Sequence, residues 1–219
     1  MRRYIEIIKK SVLFKGMTEE EIIKAVEFFG ATEMFFKKGQ YIYRPDDTVR
    51  KIGLVLEGSV RIEKEDYYGN RTIMTFVSKG DIFGEVYACR GKTASGVSVI
   101  ADIDTNLIML DTNRVFMYNS LKEMFYYKVV HNLIAVLASK AYMLNSKIEH
   151  ISKRTTREKL MSFFSQQASE RKSSSFYIGF NRQELADFLC VDRSAMSAEL
   201  SKMKKDGIID YNKNYFKLL

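Results

Sequence analysis

The chain has 219 residues, 46% of them hydrophobic and 28% charged, so it is long enough for two domains and has the composition of an ordered protein. Its two cysteines, Cys89 and Cys190, lie far apart and are too few for a disulfide framework, an iron-sulfur cluster or a zinc knuckle. The net charge is +8, and residues 153–219 carry 13 Lys and Arg against 8 Asp and Glu. This basic C-terminal third indicates an anionic partner such as nucleic acid.

Residues 1–30 predict helices, with Thr18 as the cap of a helix whose first turn carries Glu19, Glu20 and Glu21. The basic N-terminus is not followed by an apolar run long enough for a signal peptide or a membrane span. We therefore expect a cytoplasmic protein that does not bind membranes.

From Ala31 to Asp111 short β-prone runs alternate with Gly, Asp and Asn turn residues; the runs are MFF, YIY, IGLVL, SVRIE, TIMTFV, DIFGEVY, VSVIA and NLIML. Ten of the twelve glycines lie at or before Gly96, and none lies between Val97 and Ile178. This pattern predicts a compact antiparallel β domain followed by a mainly helical region.

Residues 124–152 contain neither Gly nor Pro and predict one continuous helix about 40 Å long. Apolar residues recur along it at coiled-coil spacing: Val130, Ile134, Leu137, Ala141, Leu144, Ile148 and Ile151. We interpret this seam as the axis of a parallel homodimer. The alternative is a long core helix packed inside one subunit.

Polar residues 153–157 interrupt the seam and predict an interdomain hinge, with Thr156 capping a helix that runs to about Ala168. Residues 169–175 predict a loop, and FYIGF a short strand. Two β-prone runs around residues 212–214 predict a hairpin at the end of the chain, which would form the wing of a winged domain.

Residues 181–206 carry the sharpest functional pattern in the sequence. Asn181 and Glu184 predict a capped first helix, a tight turn follows at Cys190 and Val191, and Asp192 predicts the cap of a second helix. The exposed face of the second helix would carry small or hydrogen-bonding residues suited to base edges: Arg193, Ser194, Ser197, Ala198 and Ser201. Nearby cations would contact phosphates: Arg182, Lys202, Lys204, Lys205 and Lys213. We interpret this as a DNA-binding helix-turn-helix; the alternative is a helical hairpin with a solvated polar face.

The whole chain resembles the cyclic-AMP receptor protein/fumarate-nitrate-reduction regulator superfamily of bacterial transcription factors. The resemblance includes LFKGMTEEEI, Gly39, Gly58, GDIFGEVY, the long helix and NRQELADFLCVDRSAMSAELSKMKKDGII. It implies an α+β fold with an antiparallel β-roll of the cyclic-nucleotide-binding, jelly-roll kind that senses an effector (1–123), a dimerisation helix (124–152) and a winged helix-turn-helix DNA-binding domain (153–219).

By this resemblance Arg193, Ser194 and Ser197 occupy base-contacting positions, and Arg182 a backbone-contacting one. Many members carry Arg where this chain has Ala198, so the operator should differ at that base. The implied partners are a second copy of the chain, an inverted-repeat double-stranded DNA operator, RNA polymerase and an unidentified small-molecule effector.

The resemblance also places an effector pocket in the roll, at Ile82, Phe83, Gly84, Glu85, Val86, Tyr87, Lys92, Ser95, Gly96 and Tyr142. Gly84 and Glu85 match the Gly-Glu pair that holds phosphate and ribose in cyclic-nucleotide-binding members. The Arg-Ser pair that clamps the cyclic phosphate falls instead on Ser95 and Gly96. The effector is therefore unidentified, and these residues do not favour cyclic AMP.

Cys89 is a candidate thiol sensor or haem ligand, although a small buried apolar role is commoner for such a residue. His131 and His150 lie on the long helix, where solvated or interface histidines are more usual than metal ligands. No motif for catalysis appears, so we expect a regulator and not an enzyme. The alternative function is a cyclic-nucleotide-responsive signalling module that acts through protein partners rather than DNA.

Overall fold

The computed structural model describes residues 2–69, 71–91, 94–116 and 123–219. It forms two compact units, Met1–Ala138 and Ser139–Leu219. The helices are Ile5–Lys10 (α1), Glu19–Phe28 (α2), Glu85–Arg90 (α3), Met124–Ile151 (α4), Thr156–Arg171 (α5), Arg182–Leu189 (α6) and Arg193–Lys205 (α7), with single 3-10 turns at Arg2–Tyr4, Val12–Phe14 and Thr112–Phe116. The three-part division of the sequence at residues 123 and 152 stays a prediction.

The strands of the first unit form two four-stranded antiparallel sheets, here called the roll. They are Thr32–Phe36 (β1), Tyr41–Tyr43 (β2), Lys51–Glu57 (β3), Ser59–Glu65 (β4), Arg71–Ser78 (β5), Ile82–Phe83 (β6), Ser98–Ala101 (β7) and Thr105–Asp111 (β8). One sheet has the order β1-β8-β3-β6 and the other β2-β7-β4-β5. The antiparallel β architecture predicted for this region is confirmed.

The β3-β8 sheet is covered on both faces, which explains the unbroken apolar runs IGLVL and LIML. Val55 and Leu107 pack against Val60 and Val99 of the second sheet. On the opposite face Ile52, Leu54, Ile108 and Leu110 pack against the N-terminal helices and the first turns of α4. By contrast, β5 is a sheet edge and is exposed along most of its length.

The second unit contains α5 to α7 and a three-stranded sheet, β10-β11-β9, formed by Ser175–Tyr177 (β9), Ile209–Asn212 (β10) and Tyr215–Leu218 (β11). Its core joins Phe163 and Phe164 of α5 to Leu185, Met196 and Phe216. The β10-β11 hairpin, here called the wing, pairs Asn212 with Tyr215 across a two-residue turn. The predicted terminal hairpin is therefore present.

Three local predictions differ from the structure. The run DIFGEVY was expected as one strand, but β6 ends at Phe83, because Gly84 adopts φ 82° and the chain then turns into α3. The cap of α5 is Thr155 and not Thr156, since Thr155 forms a reciprocal capping box with Glu158. The predicted loop 169–175 is shorter, because α5 continues to Arg171 and ends where Lys172 adopts a left-handed conformation.

Candidate functional site

Helix α6 begins where the sequence predicts. The side chain of Asn181 accepts a hydrogen bond from the Glu184 backbone N–H at 3.0 Å, and Glu184 Oε2 accepts one from the Asn181 N–H at 2.7 Å. These two bonds satisfy N–H groups that lack a partner within the helix. Leu185 and Leu189 then face the core with no exposed surface. The local sequence thus fixes both the start of α6 and its buried face.

The turn between α6 and α7 is tight. Cys190 adopts φ 51°, and the Val191 N–H donates to the Ala186 carbonyl at 3.0 Å, which closes the end of α6. Asp192 then caps α7 by accepting the Ala195 N–H at 2.8 Å. Buried residues of α7 anchor it on the same core: Met196, Leu200 and Met203. The two helices and this turn form a helix-turn-helix.

The outer face of α7 presents the residues that the sequence proposed for base contacts. Arg193, Ser194, Ala198 and Ser201 are exposed, and Ser197 is half-buried. The Ser197 hydroxyl donates to the Arg193 carbonyl at 2.9 Å, and the Ser201 hydroxyl donates to the Ser197 carbonyl at 3.0 Å. Both hydroxyl oxygens keep lone pairs that can accept hydrogen bonds from a donor on a base. Their role in base contacts stays a prediction.

Arg157, which the sequence reasoning missed, fixes α7 on α5. Its Nε donates to Glu199 Oε1 at 2.5 Å, and its Nη2 donates to Asp206 Oδ2 at 2.7 Å. Because the guanidinium is planar and rigid, its hydrogen bonds to two separate carboxylates fix the direction of the helix as well as attract opposite charges. The local sequence gives no signal for this role, because both partners lie more than forty residues away along the chain.

Two cations proposed for phosphate contacts, Arg182 and Lys204, also contact the wing, and their role at phosphates stays a prediction. The Arg182 guanidinium lies 5.0 Å from the ring centroids of both Tyr211 and Phe216, and its Nη2 donates to the Lys213 carbonyl at 3.0 Å. Burial lowers the pKa of Arg182 from its ordinary value. Lys204 forms an exposed ion pair with Asp210, with Nζ 2.6 Å from Oδ1. Lys202, Lys205 and Lys213 are exposed.

A cleft of about 850 Å³ lies where the N-terminal ends of α6 and α7 approach the wing. It brings together two residues that the sequence proposed separately, Arg193 of the second helix and Lys213 of the wing turn. Amides, two tyrosines and Arg182 complete its lining: Asn181, Gln183, Asn212, Asn214, Tyr177, Tyr215 and Arg182. A surface of cations, amide donors and aromatic rings suits the sugar-phosphate backbone and base edges of nucleic acid.

The effector positions in the roll do not all face the same way. Glu85 begins α3 and is 2% exposed, and a Cβ built on the left-handed Gly84 would lie 3.1 Å from the Lys51 carbonyl. Ile82 and Phe83 pack into the two cores of the roll, whereas Val86 is exposed. The resemblance assigns phosphate and ribose contacts to Gly84 and Glu85, and the role of every residue in this group stays a prediction.

Ser95 and Gly96 stand where the phosphate clamp would be. Ser95 is buried, and its hydroxyl donates to the Val97 carbonyl at 2.6 Å. Gly96 is exposed, and a Cβ built on it would lie 3.5 Å from the Tyr87 hydroxyl. The proposed pocket residue Lys92 lies outside the described residues. Tyr142, the last proposed pocket residue, belongs to the second unit, where its hydroxyl donates to Glu170 at 3.4 Å.

Two family models match this chain. The model for the cyclic nucleotide-binding domain matches residues 33–117, and that for the Crp-like helix-turn-helix domain matches residues 158–219. Together they cover well over half of the chain and coincide with the roll and with the helix-turn-helix and its wing. The chain belongs to the cyclic-AMP receptor protein/fumarate-nitrate-reduction regulator family. It is a DNA-binding transcription regulator with a cyclic-nucleotide-binding type of domain, and not an enzyme, as the sequence predicted.

Individual relatives agree with this membership. The regulator is 24% identical over 202 residues to the cyclic AMP receptor protein of Thermus thermophilus, over 92% of this chain and 89% of the relative. The crystal structure of the Thermus thermophilus catabolite activator protein matches with a TM-score of 0.52 at 20% identity, over 95% of this chain and 94% of that one. A putative cAMP-binding regulatory protein from Silicibacter pomeroyi matches with a TM-score of 0.53 at 15% identity, over 100% and 94%. These structures share the fold of the regulator.

Helix α4 carries two apolar stripes in the regulator. Phe125, Val129 and Leu133 are buried in the first unit. The second stripe, the predicted seam, is less buried than the first. Val130 and Leu137 are half-buried, and the exposed fractions of Ile134, Leu144 and Ile148 are 61%, 62% and 58%. The remaining seam positions are Ala141, which is exposed, and Ile151, which is half-buried. Large apolar side chains at coiled-coil spacing thus remain uncovered by their own chain.

The second histidine of α4 differs from the expectation of a solvated or interface group. His150 is 2% exposed; its Nδ1 lies 2.8 Å from Ser162 Oγ and its Nε2 lies 2.7 Å from Gln166 Oε1. Gln166 in turn donates to Ser146 Oγ at 3.0 Å. These bonds join the last turns of α4 to α5 within the second unit. His131 is exposed, as expected.

The cysteine of α3 is poorly suited to redox sensing through a thiolate. Cys89 is half-buried, and its burial and, to a smaller extent, the nearby charge of Glu85 raise the pKa of its thiol.

Among the described residues no cluster of three or more His, Cys, Asp and Glu side chains could hold a metal ion. Within the same part of the chain, no helix has both the length and the hydropathy required to span a bilayer.

Proposed function

We propose that the regulator acts as a homodimer, with the seam of α4 paired in parallel against the same seam of a second copy. The supporting observation is the exposure of Ile134, Leu144 and Ile148, which recur at the spacing of a coiled coil. Large apolar side chains exposed along one face of a helix are unfavourable in water and indicate an interaction surface. A two-fold axis pairs the same seam on both copies. A closed dimer therefore needs only this one surface.

A two-fold dimer presents two copies of α7, and the operator is therefore an inverted repeat. Recognition helices of such dimers contact half-sites about one helical turn, ~10 bp, apart. Arg193 stands at the first position of α7, where a guanidinium can donate two hydrogen bonds to a guanine. Ser194 and Ser197 contact neighbouring base edges, and Ala198 contributes only a methyl group. Lys202, Lys205 and Lys213 supply positive charge to the phosphate backbone.

An effector at the roll changes the DNA affinity of the dimer, and bound regulator then alters access of RNA polymerase to the promoter. Glu85 and the left-handed Gly84 support a small-molecule site at the start of α3. A cyclic phosphate needs a cation that forms paired hydrogen bonds with it, and Ser95 and Gly96 provide none at the clamp positions. These positions do not favour cyclic AMP, and the effector is an unidentified small molecule.

The test is selection of operators from a library of genomic fragments, followed by mobility-shift titration of the recovered sequence at several salt concentrations. Sequence-specific retention that falls steeply with salt supports the proposal, because bound phosphates release counterions. Light scattering of the free and bound protein reports the oligomeric state. No retention of any fragment, with or without reductant and nucleotides, would support a module that binds protein partners instead.

A further inference from the structure

The last turns of α4 are hydrogen-bonded to α5 through a row of polar side chains, here called the α4–α5 network. Its members recur every four residues on each helix: Tyr142, Ser146 and His150 of α4, and Ser162, Gln166 and Glu170 of α5. Side chains at this spacing lie on one face of a helix, so the two helices present matching polar faces. The whole network lies within the second unit.

Gln166 lies at the centre of the network. Its Nε2 donates to Glu170 Oε1 at 2.7 Å and to Ser146 Oγ at 3.0 Å. Because an ionised carboxylate only accepts hydrogen bonds, the amide nitrogen faces Glu170 and the amide oxygen faces His150. That oxygen lies 2.7 Å from His150 Nε2. The partners on both sides thus determine the orientation of the Gln166 side chain.

The same geometry fixes the tautomer of His150. The Gln166 oxygen only accepts, so His150 Nε2 donates to it, and Nδ1 of the neutral ring accepts from the Ser162 hydroxyl at 2.8 Å. The ring is 2% exposed and lies against Phe163 of α5 and Phe188 of α6, with centroids 5.8 and 6.3 Å away. A displaced ring would leave buried polar atoms without partners, which is unfavourable.

The network and the proposed dimer seam lie on opposite faces of the same helical turns. The seam residues Leu144 and Ile148 each stand two positions from Ser146, which is about 200° around an α-helix. Lys147 adds a contact to α6, since its Nζ lies 5.3 Å from the centroid of the Phe188 ring. The turns of α4 that would pair with a second copy are therefore the turns that contact α5 and α6.

The connection between α4 and α5 is short and well supported by hydrogen bonds. The Ser152 hydroxyl donates to the Glu149 carbonyl at 2.9 Å at the end of α4. Thr155 then caps α5, and Arg157 joins α5 to α7. Residues 153–157, which the sequence suggests as a hinge, thus connect two helices that side-chain contacts already hold together.

We propose that His150 and Gln166 are positioning residues that hold α5, and with it the helix-turn-helix, on the end of the dimer helix. The network thereby sets the distance between the two α7 helices of the dimer, and residues 153–157 form a fixed corner instead of a hinge. This inference rests on the proposed dimer and its inverted-repeat operator. It identifies the residues that restrict the regulator to one spacing between half-sites.

The test is binding to a series of operators in which the spacer between two identical half-sites changes by one base pair at a time. Each added base pair displaces a half-site by about 3.4 Å and rotates it by about a tenth of a turn. The wild-type protein should prefer one spacing by roughly tenfold over its neighbours, because other spacings require the DNA to bend or twist. His150→Ala and Gln166→Ala should each reduce this preference to roughly threefold or less, because a released domain reaches several spacings.

The matched control is Asn145→Ala, because Asn145 is exposed on the same part of α4 and belongs to neither the network nor the seam. It should keep the wild-type preference. The His150→Ala, Gln166→Ala double variant should lose no more of the preference than either single variant, since the two side chains act through one bond. Destabilisation alone would lower the affinity for every spacing equally and leave the preference unchanged.

Two outcomes of the spacing series would overturn the inference. If the wild-type protein bound neighbouring spacings equally well, the domain would not be held on the dimer helix. If His150→Ala kept the wild-type preference, the network would not set the spacing. Absence of binding to any inverted repeat would instead reject the proposed function, so the two failures are distinguishable.

A second measurement leaves the network intact and does not depend on the folding of His150→Ala. Cys190 is exposed in the turn of the helix-turn-helix, and a nitroxide label on it reports the distance between the two DNA-binding domains of a dimer. Cys89→Ser removes the other thiol. Pulsed electron spin resonance of the labelled protein without DNA should give one narrow distance distribution. A broad distribution would mean that residues 153–157 act as a hinge after all.

Discussion

The ring of Phe83 lies directly over Gly53, so that a Cβ built on Gly53 would come within 2.1 Å of the Phe83 Cζ atom. Phe83 is 1% exposed and packs between the sheets of the roll. We expect Gly53→Ala to destabilise the roll by ~1–3 kcal/mol, the usual cost of overpacking a core. Thermal or urea unfolding measures the loss. Gly96→Ala is the control, because its Cβ would meet only the Tyr87 hydroxyl at an ordinary 3.5 Å.

Charge in the α4 seam should separate the dimer. Leu144→Asp or Ile148→Asp would place opposed carboxylates in a dry interface, where an unpaired charge is strongly unfavourable. Both residues are exposed in the single chain, so the subunit itself should stay folded. Light scattering should report a monomer, and operator affinity should fall with it.

The matched control for the seam is Ala135→Asp, which adds the same charge to the same helix at an exposed position outside the seam. It should remain dimeric. A mass that stayed dimeric after both seam substitutions would show that these residues do not form the interface between copies.

Arg193→Ala should relax the preference for one base pair in each half-site by ~1–3 kcal/mol, because a bidentate contact to guanine is lost. A randomised half-site library, sequenced after selection, measures this preference. Lys205→Ala should weaken all sequences alike and reduce the salt slope by ~0.9. An unchanged preference in Arg193→Ala would mean that another residue contacts this base.

Calorimetry should show weak or no binding of cyclic AMP, because the clamp positions carry Ser95 and Gly96. A thermal-shift screen of nucleotides, small acids and haem then searches for the effector, since a ligand specific to the folded state raises its apparent stability. Glu85→Gln, which keeps the shape of a buried side chain, should abolish any shift that arises in the roll. Micromolar binding of cyclic AMP that is lost in Glu85→Gln would contradict the prediction.

Cys89 should react slowly with alkylating reagents. Burial and the charge of Glu85 raise the pKa of its thiol, so the reactive thiolate forms only at a higher pH than for an ordinary cysteine. Mass spectrometry of partly alkylated protein compares it with Cys190, which is exposed and should react first. The rate at Cys89 should rise as the pH is raised through the range where an ordinary thiol is already ionised. If Cys89 reacted faster than Cys190 near neutral pH, the result would support the thiol-sensor hypothesis.

Much of the fold could be predicted because its signals are local. Thr18, Asn181 and Asp192 each cap a helix through a partner three residues away, so the sequence alone defines where α2, α6 and α7 begin. Likewise, uninterrupted helix formers at coiled-coil spacing defined α4 to within one residue at its C-terminal end. The antiparallel roll followed from apolar runs separated by turn residues.

The local errors have local causes of a different kind. Gly84 was taken as part of a strand, but only the folded chain shows that it ends β6 in a left-handed conformation against the Lys51 carbonyl. Thr155 and Thr156 are adjacent candidates for the cap of α5. The cap is Thr155, because Glu158 stands three positions after it. The cap could have been assigned from the spacing of Thr155 and Glu158, whereas the end of β6 depends on packing against a distant strand.

The sequence by itself determined the helix-turn-helix, the long helix with its apolar seam and the basic character of the C-terminal third. The tertiary structure decided which partners two guanidinium groups have within the domain. Arg182 lies over Tyr211 and Phe216, and Arg157 donates to Glu199 and Asp206. The physical reason is distance along the chain: a cap depends on residues within one helical turn, whereas the occupation of a guanidinium depends on partners about thirty to fifty residues away, which only folding brings into contact.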